Sequence, residues 1–268
     1  MNIGIFDSGL GGLLITKSLI KKLPEYNYTY LGDTKRVPYG NRSPETIYEF
    51  LRESVEYLFK HNCKLVIVAC NTASAQALRR IQQDFLPSNY PDRKVLGVII
   101  PTCEVAAPNN ISKNIGILAT NATVNSNAFV IELKKIRSDI KIIQQSAPLL
   151  VPFIENNELK LVEPILNKYL RSFKNGKIDT LILGCTHYPL IYNHIQKILG
   201  KKVKIISQDK IIPEKLKMYL LKHTEIEKVL TKKKQYQFNV KDLTEVMKKT
   251  VTKWFGKDVM LCQVDLRD

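Results

Sequence analysis

Apolar positions along the chain come in two alternating kinds of run. Short, β-branched segments such as IGIF (3–6), YTYLG (28–32), KLVIVA (64–69) and VLGVII (95–100) are apolar on nearly every residue. Between them apolar residues recur at helical spacing, as in LLITKSLIKKL (13–23). Ser43 stands as a cap with Pro44 at the first helical position, ahead of Ile47, Phe50, Leu51, Val55 and Leu58. A further helix is predicted from about Ala73 to Phe85. The alternation continues with a helix near Glu104, a strand NIGILA (114–119), a helix after Asn125 and a strand IKIIQQ (140–145). A helix over 159–173, a strand TLILG (180–184), a helix after Tyr188 and a strand VKIIS (203–207) follow. The last stretch predicts a helix (211–222), a strand near Tyr236–Val240, a helix (242–255) and a strand (258–264). Strands that are apolar throughout and alternate with helices form parallel sheets covered on both faces. The predicted fold class is α/β.

The pattern echoes itself. IGIFDSG at 3–9 resembles IGILATN at 115–121, and VIVACNTA at 66–73 resembles LILGCTHY at 181–188. The two matches occur in the same order at nearly the same offset, 112 and 115 residues. In each half a strand ends in a polar loop, and a second strand ends in Cys followed by Asn-Thr or Thr-His. The chain reads as two similar lobes, each a mainly parallel sheet flanked by helices.

Open parallel sheets bind ligands at the carboxyl ends of their strands. DSGLGG (7–12) follows the first strand there, with Asp7 and Ser8 at the strand end and three glycines that let backbone approach closely. It lacks the GxGxxG spacing and the Walker Lys-Ser/Thr, so a nucleotide is poorly supported. CNTAS (70–74) places Cys70 at a strand end with Asn71 and Thr72 at the predicted helix cap. GCTHYP (184–189) does the same for Cys185, with His187 two residues on. A thiol beside a helix N-terminus is expected to titrate lower, from about 8.5 towards 7 or below. A hydrolase needs one nucleophile and one base. Two thiols at equivalent places, facing one ligand between the lobes, suit proton removal on one face and proton delivery on the other.

Composition narrows the classes. With 44% hydrophobic and 25% charged residues in 268, the chain is of ordinary globular make-up and long enough to bury a core unaided. Its apolar runs fall far short of the ~20 residues that span a bilayer, and its N-terminus has no secretory pattern, so a cytoplasmic address and no membrane partner are expected. Five cysteines, Cys63, Cys70, Cys103, Cys185 and Cys262, include no CxxC pair, so neither a disulfide framework nor a zinc site is expected. The net charge is +16, with an excess of +8 between Gly200 and Asp268. Lysines make up 32 of the 41 basic residues, whereas base and phosphate recognition favours Arg. The excess reads as a solvated Lys-rich surface, and no nucleic-acid partner is expected. A nucleic-acid binder and a thiol-bearing binding or redox protein remain the alternatives from other classes.

The residues resemble the glutamate racemase family, cofactor-independent enzymes of the aspartate/glutamate racemase superfamily that make D-glutamate for peptidoglycan. The resemblance is carried by IGIFDSGLGGL (3–13), GDTKRVPYGNRS (32–43), VIVACNTASA (66–75), GVIIP (97–101), IGILATNATVNSNAF (115–129), LVPFIE (150–155) and LILGCTHYPLI (181–191). It implies that Cys70 and Cys185 are the two acid/base thiols, with Asp7 beside the first and His187 beside the second. It implies that Ser8, Tyr39, Gly40, Asn71, Thr72, Thr120, Thr123 and Thr186 bind the carboxylates and ammonium of the substrate, with Glu155 close by. Thr120 equally fits a helix cap, and Glu155 a solvated helix residue. After the strand VKIIS the turn reads Ser207-Gln208-Asp209-Lys210, a place that bears on lobe packing or regulation.

The resemblance further implies a first lobe of 1–97 plus 211–268 and a second of 98–210, with the active site between them. Glutamate is the expected partner and no cofactor or metal is expected. A homodimer is left open, and a relative acting on aspartate or a hydantoin is the nearest alternative.

Overall fold

The structure, a computed structural model, describes residues 1–107 and 112–266; the other positions of the two predicted lobes lie outside the described residues. Its strands are β1 (Asn2–Asp7), β2 (Tyr28–Gly32), β3 (Cys63–Val68), β4 (Lys94–Gly97), β5 (Asn114–Ala119), β6 (Lys141–Ser146), β7 (Thr180–Gly184), β8 (Lys204–Ile206), β9 (Tyr236–Val240) and β10 (Leu261–Gln263). They form a six-stranded sheet of order β10-β9-β2-β1-β3-β4 and a four-stranded sheet of order β6-β5-β7-β8. Every pairing is parallel. The order β2-β1-β3-β4 in the first sheet repeats as β6-β5-β7-β8 in the second. The echo in the sequence is therefore an echo of topology, with β9 and β10 added at one edge.

Each central strand buries both faces. In β1 and β3, Ile3, Ile5, Leu65 and Ile67 face one core, while Phe6, Val66 and Val68 face the other. In β5 and β7, Leu118, Leu181 and Leu183 face one core and Ile115, Ile117 and Ile182 the other. Period-2 alternation with apolar residues on both sides is what a helix-covered parallel sheet requires. The chain crosses between the sheets twice. The first crossing lies between β4 and the helix Ile99–Ala106, and the second between β8 and the helix Gln208–Lys222. That last helix packs Ile212, Leu216 and Leu220 on the first sheet's core and Ile211 on the second's. Among the described residues no helix is long and apolar enough to cross a membrane.

Several boundaries differ from the sequence reading. VLGVII (95–100) is not one strand: β4 stops at Gly97 and a helix starts at Ile99. β4 is an edge strand whose ladder with β3 ends at Val68↔Gly97, and the chain must leave there to reach the second sheet. A continuous apolar run fits a buried strand and a buried helix alike. Pro101, third in that helix, falls among the first four residues, whose N–H groups have no partner within a helix. The predicted helix from Ala73 begins at Asn71, breaks at Ala77 after Gln76, and resumes from Leu78 to Asn89 with a π-type turn at Ile81–Phe85. The helix predicted after Asn125 is Ala128–Ile136, and a short helix the sequence reading omitted, Asn121–Asn125, precedes it; Asn127 between them has a φ of 54°, a left-handed conformation that Asn tolerates. The helix predicted over 211–222 starts at Gln208, and the last strand is only Leu261–Gln263.

Ile5 sits mid-strand in β1 with no exposed surface. Ile5→Ala is expected to cost about 2–5 kcal/mol, measured by urea unfolding with an unchanged slope. A loss below about 1 kcal/mol would contradict the packing described for β1.

Candidate active site

The carboxyl ends of the four central strands converge. Asp7 ends β1, Cys70 stands two residues past β3, and Thr120 and Cys185 directly follow β5 and β7. Cys70 itself caps the helix Asn71–Gln76: its sulfur accepts from the Ala73 N–H at 3.5 Å. The cap is thus one residue earlier than the predicted Asn71 or Thr72, because Cys70 still has extended backbone while Asn71 is already helical. Thr120 caps the helix Asn121–Asn125 in the same way, accepting from the Thr123 N–H at 3.4 Å.

These ends enclose a cavity of about 240 Å³. Ser8, Tyr39, Gly40, Cys70, Asn71, Thr72, Thr120, Glu155, Cys185, Thr186 and His187 all line it. Asp7 and Thr123, the other two residues singled out in the sequence, are completely buried just behind that lining. A cavity of about 290 Å³ lies against Leu78, Ile99 and Leu216, but its walls are mainly apolar and hold no thiol. Convergent polar groups mark the smaller cavity as the chemical one.

The two thiols have different surroundings. Cys70 donates to Ser8 Oγ at 3.3 Å. Burial and the neighbouring Asp7 carboxyl push its thiol up to about 12, against the lowered value expected from the helix N-terminus alone. The Ala73 N–H does act in the lowering direction, but burial outweighs it. Cys185 instead faces His187, with Sγ···Nδ1 at 3.8 Å, and His187 Nε2 meets Glu155 Oε1 at 2.9 Å. Burial alone pushes the His187 imidazole down, but its hydrogen bonds to Cys185 and Glu155 prevail and hold it well above the ordinary histidine range. The Trp254 ring meets the imidazole edge-on, with centroids 6.2 Å apart.

Asp7 does not touch Cys70 through a hydrogen bond. Its carboxyl accepts from the Gly9 N–H at 3.0 Å and from Thr186 Oγ1 at 3.3 Å, which ties the first sheet to the second. Burial pushes it up, opposed by the nearby His187 charge and by those hydrogen bonds. Thr72 of the first sheet's half and Thr120 and Thr123 of the second's bring three hydroxyls together, at 2.9, 3.4 and 3.1 Å. Close approach explains two glycines. A Cβ on Gly11 would lie 2.5 Å from Thr186 Oγ1 and 2.6 Å from His187 Nδ1, and one on Gly12 would lie 2.5 Å from the Asp7 Cβ. The glycine-rich loop is needed for sheet-to-sheet contact as much as for any ligand.

Some contributors are absent from the sequence reading. Val37, Pro38, Val151 and Pro152 supply an apolar wall. Asp33, fully buried, accepts hydrogen bonds from the Tyr39 hydroxyl and from Arg36 Nε, with Lys241 Nζ 3.3 Å from its other oxygen. The hydrogen of the Tyr39 hydroxyl is therefore given to Asp33, and its oxygen is left as an acceptor. Asp33 lies inside the quoted GDTKRVPYGNRS stretch, but nothing in that spacing marks it. The Asn71 amide pairs with Gln208, the first residue of the helix Gln208–Lys222.

Residues 12–212 match the model of the Asp/Glu/Hydantoin racemase family. The chain is 41% identical over 226 residues to the glutamate racemase of Chlorobaculum parvum, covering 82% of this chain and 80% of that one. Among solved structures it is similar to a glutamate racemase isoform from Bacillus anthracis, at 33% identity and a TM-score of 0.89 over 99% of this chain and 97% of the other. The glutamate racemase of Francisella tularensis, solved in complex with D-glutamate, matches at 33% identity and a TM-score of 0.88 over the same shares. With two parallel sheets of matching order, thiols at their facing strand ends and these likenesses along nearly its full length, the chain belongs to the glutamate racemase family.

Proposed function

We propose that the protein interconverts L- and D-glutamate by two-thiol proton transfer at Cα and so supplies D-glutamate for peptidoglycan synthesis in the cytoplasm. The observation that carries this reading is the presence of Cys70 and Cys185, at equivalent strand ends of two similar sheets, on one cavity. The two sheets are read as the cores of lobes 1–97 plus 211–268 and 98–210, with substrate held between them.

The residues divide the work as follows. The Cα proton is weakly acidic, so negative charge develops on the substrate as it leaves. The hydroxyls of Thr72, Thr120 and Thr186 and backbone N–H groups at the strand ends stabilise that charge and hold the carboxylates, with the buried Thr123 hydroxyl behind Thr72 and Thr120. Cys185 removes the proton from L-glutamate and Cys70 from D-glutamate. Burial and the Asp7 carboxyl keep the proton on Cys70, and Cys185 stands 3.8 Å from the His187 imidazole. Turnover of L-glutamate requires Cys185 to accept the proton and Cys70 to donate one. The reverse direction starts from the opposite state, so the protonation of the two sulfurs is coupled. The thiols supply both proton steps, and dialysis against a chelator is expected to leave the rate unchanged.

Cys70→Ala and Cys185→Ala are each expected to lower racemisation by about 10²–10⁴-fold, the usual share of a positioned acid or base. Cys63→Ala, Cys103→Ala and Cys262→Ala, away from the cavity, are expected to retain most activity. A chiral assay with each enantiomer checks this, and near-normal turnover by either strand-end variant would remove that sulfur from the scheme.

The protonation of Cys70 is open to direct test in the empty protein. A folded-state value raised above that of a free thiol keeps the proton on at pH 8, so the reactive thiolate is scarce there. Alkylation of Cys70 by iodoacetamide, followed by peptide mass spectrometry, is expected to be slower than for a free thiol and to keep rising with pH beyond 9. A rate already level by about pH 7, as for a thiol activated by its helix N-terminus, would contradict the burial argument.

A further inference from the structure

The side chain of Asn71, next to Cys70, is held by a residue from the other end of the site. Asn71 Nδ2 donates to Gln208 Oε1 at 2.8 Å, and Gln208 Nε2 donates back to Asn71 Oδ1 at 2.6 Å. Both residues are 2% exposed. Asn71 is the first residue of the helix after β3, and Gln208 the first of the helix that returns from the four-stranded sheet. Asn71 lines the cavity and Gln208 does not.

A primary amide carries two N–H donors and two acceptor sites on its oxygen. The closed pair consumes one of each on Asn71 and leaves one of each. Turning the Asn71 amide over by itself would set N–H against N–H and oxygen against oxygen. In a buried place that leaves polar groups unpaired, which is costly. The pair therefore holds the Asn71 amide in one plane and ties its orientation to that of Gln208. An α-amino acid offers the matching groups, a carboxylate for the free N–H and an ammonium for the free acceptor site.

We propose that Gln208 is a positioning residue for the substrate, acting through Asn71; this deepens the racemase reading and rests on it. Gln208 touches no reacting atom. It orients the amide that does the binding, and it does so from the point where the chain crosses between the sheets. The substitution Gln208→Met keeps nearly the same volume and removes both hydrogen bonds.

Steady-state kinetics of Gln208→Met, Asn71→Ala and the double variant test this, in both reaction directions. Gln208→Met is expected to raise KM for each enantiomer by about 3- to 10-fold, the worth of one or two neutral hydrogen bonds, with kcat little changed. In the Asn71→Ala background the same substitution is expected to leave KM within about twofold, because coupled residues do not add. Gln208→Glu keeps the acceptor for Asn71 Nδ2 and is expected to fall between the unaltered protein and Gln208→Met; it replaces Gln208→Met in the cycle should that variant not fold. An equal rise in KM in both backgrounds, or a lowered melting temperature with unchanged KM, would overturn the inference. Unaltered protein that racemises no glutamate would overturn the racemase reading and this inference together, whereas active protein with additive effects overturns the inference alone.

Discussion

The His187 imidazole lies between a carboxylate and a sulfur, 2.9 Å from Glu155 and 3.8 Å from Cys185, in a place that water scarcely reaches. A buried cation is costly unless it is paired. Here both ring nitrogens have partners, and the partners outweigh the burial. Much of the cavity's asymmetry follows from that arrangement. Cys185 sits beside the imidazole, whereas Cys70 sits beside Ser8, with burial and then the Asp7 carboxyl pushing its thiol up. The two sulfurs occupy equivalent positions in similar sheets and yet have different neighbours.

The fold keeps these groups together by contacts across the sheets rather than within them. Thr186 of the second sheet donates to Asp7 of the first, and Thr72 meets Thr120 and Thr123. Gly11 permits the closest approach, since a side chain there would strike Thr186 and His187. Trp254, from the C-terminal helix Glu245–Phe255, packs against cores of both sheets and against the imidazole edge. The late segment of the chain thus covers the site while its strands β9 and β10 extend the first sheet.

Much of this architecture was legible in the sequence because it is periodic. The alternation of apolar strands and helices defined the α/β class, and the repeated strand-end cysteines marked Cys70 and Cys185 at matching positions. Boundaries were less legible where one apolar run serves two elements, as at 95–100, or where a left-handed residue, Asn127, parts a short helix from the predicted one. The direction of the Cys70 shift was misread because a local helix argument omits burial and a carboxyl brought in by another strand. Asp33 and Gln208 were silent as site residues for a related reason. Gln208 owes its part to Asn71, 137 residues away in the chain, and no spacing rule connects them.

The two-thiol scheme is tested most directly by racemisation in deuterated water, started separately from each enantiomer and stopped early. If one sulfur takes the Cα proton and the opposite, solvent-equilibrated sulfur delivers another, the product carries deuterium while recovered substrate carries almost none. Mass spectrometry of the separated enantiomers reads both. Deuterium appearing in recovered substrate as fast as in product, in either direction, would contradict the assignment of Cys70 and Cys185 to opposite faces of Cα.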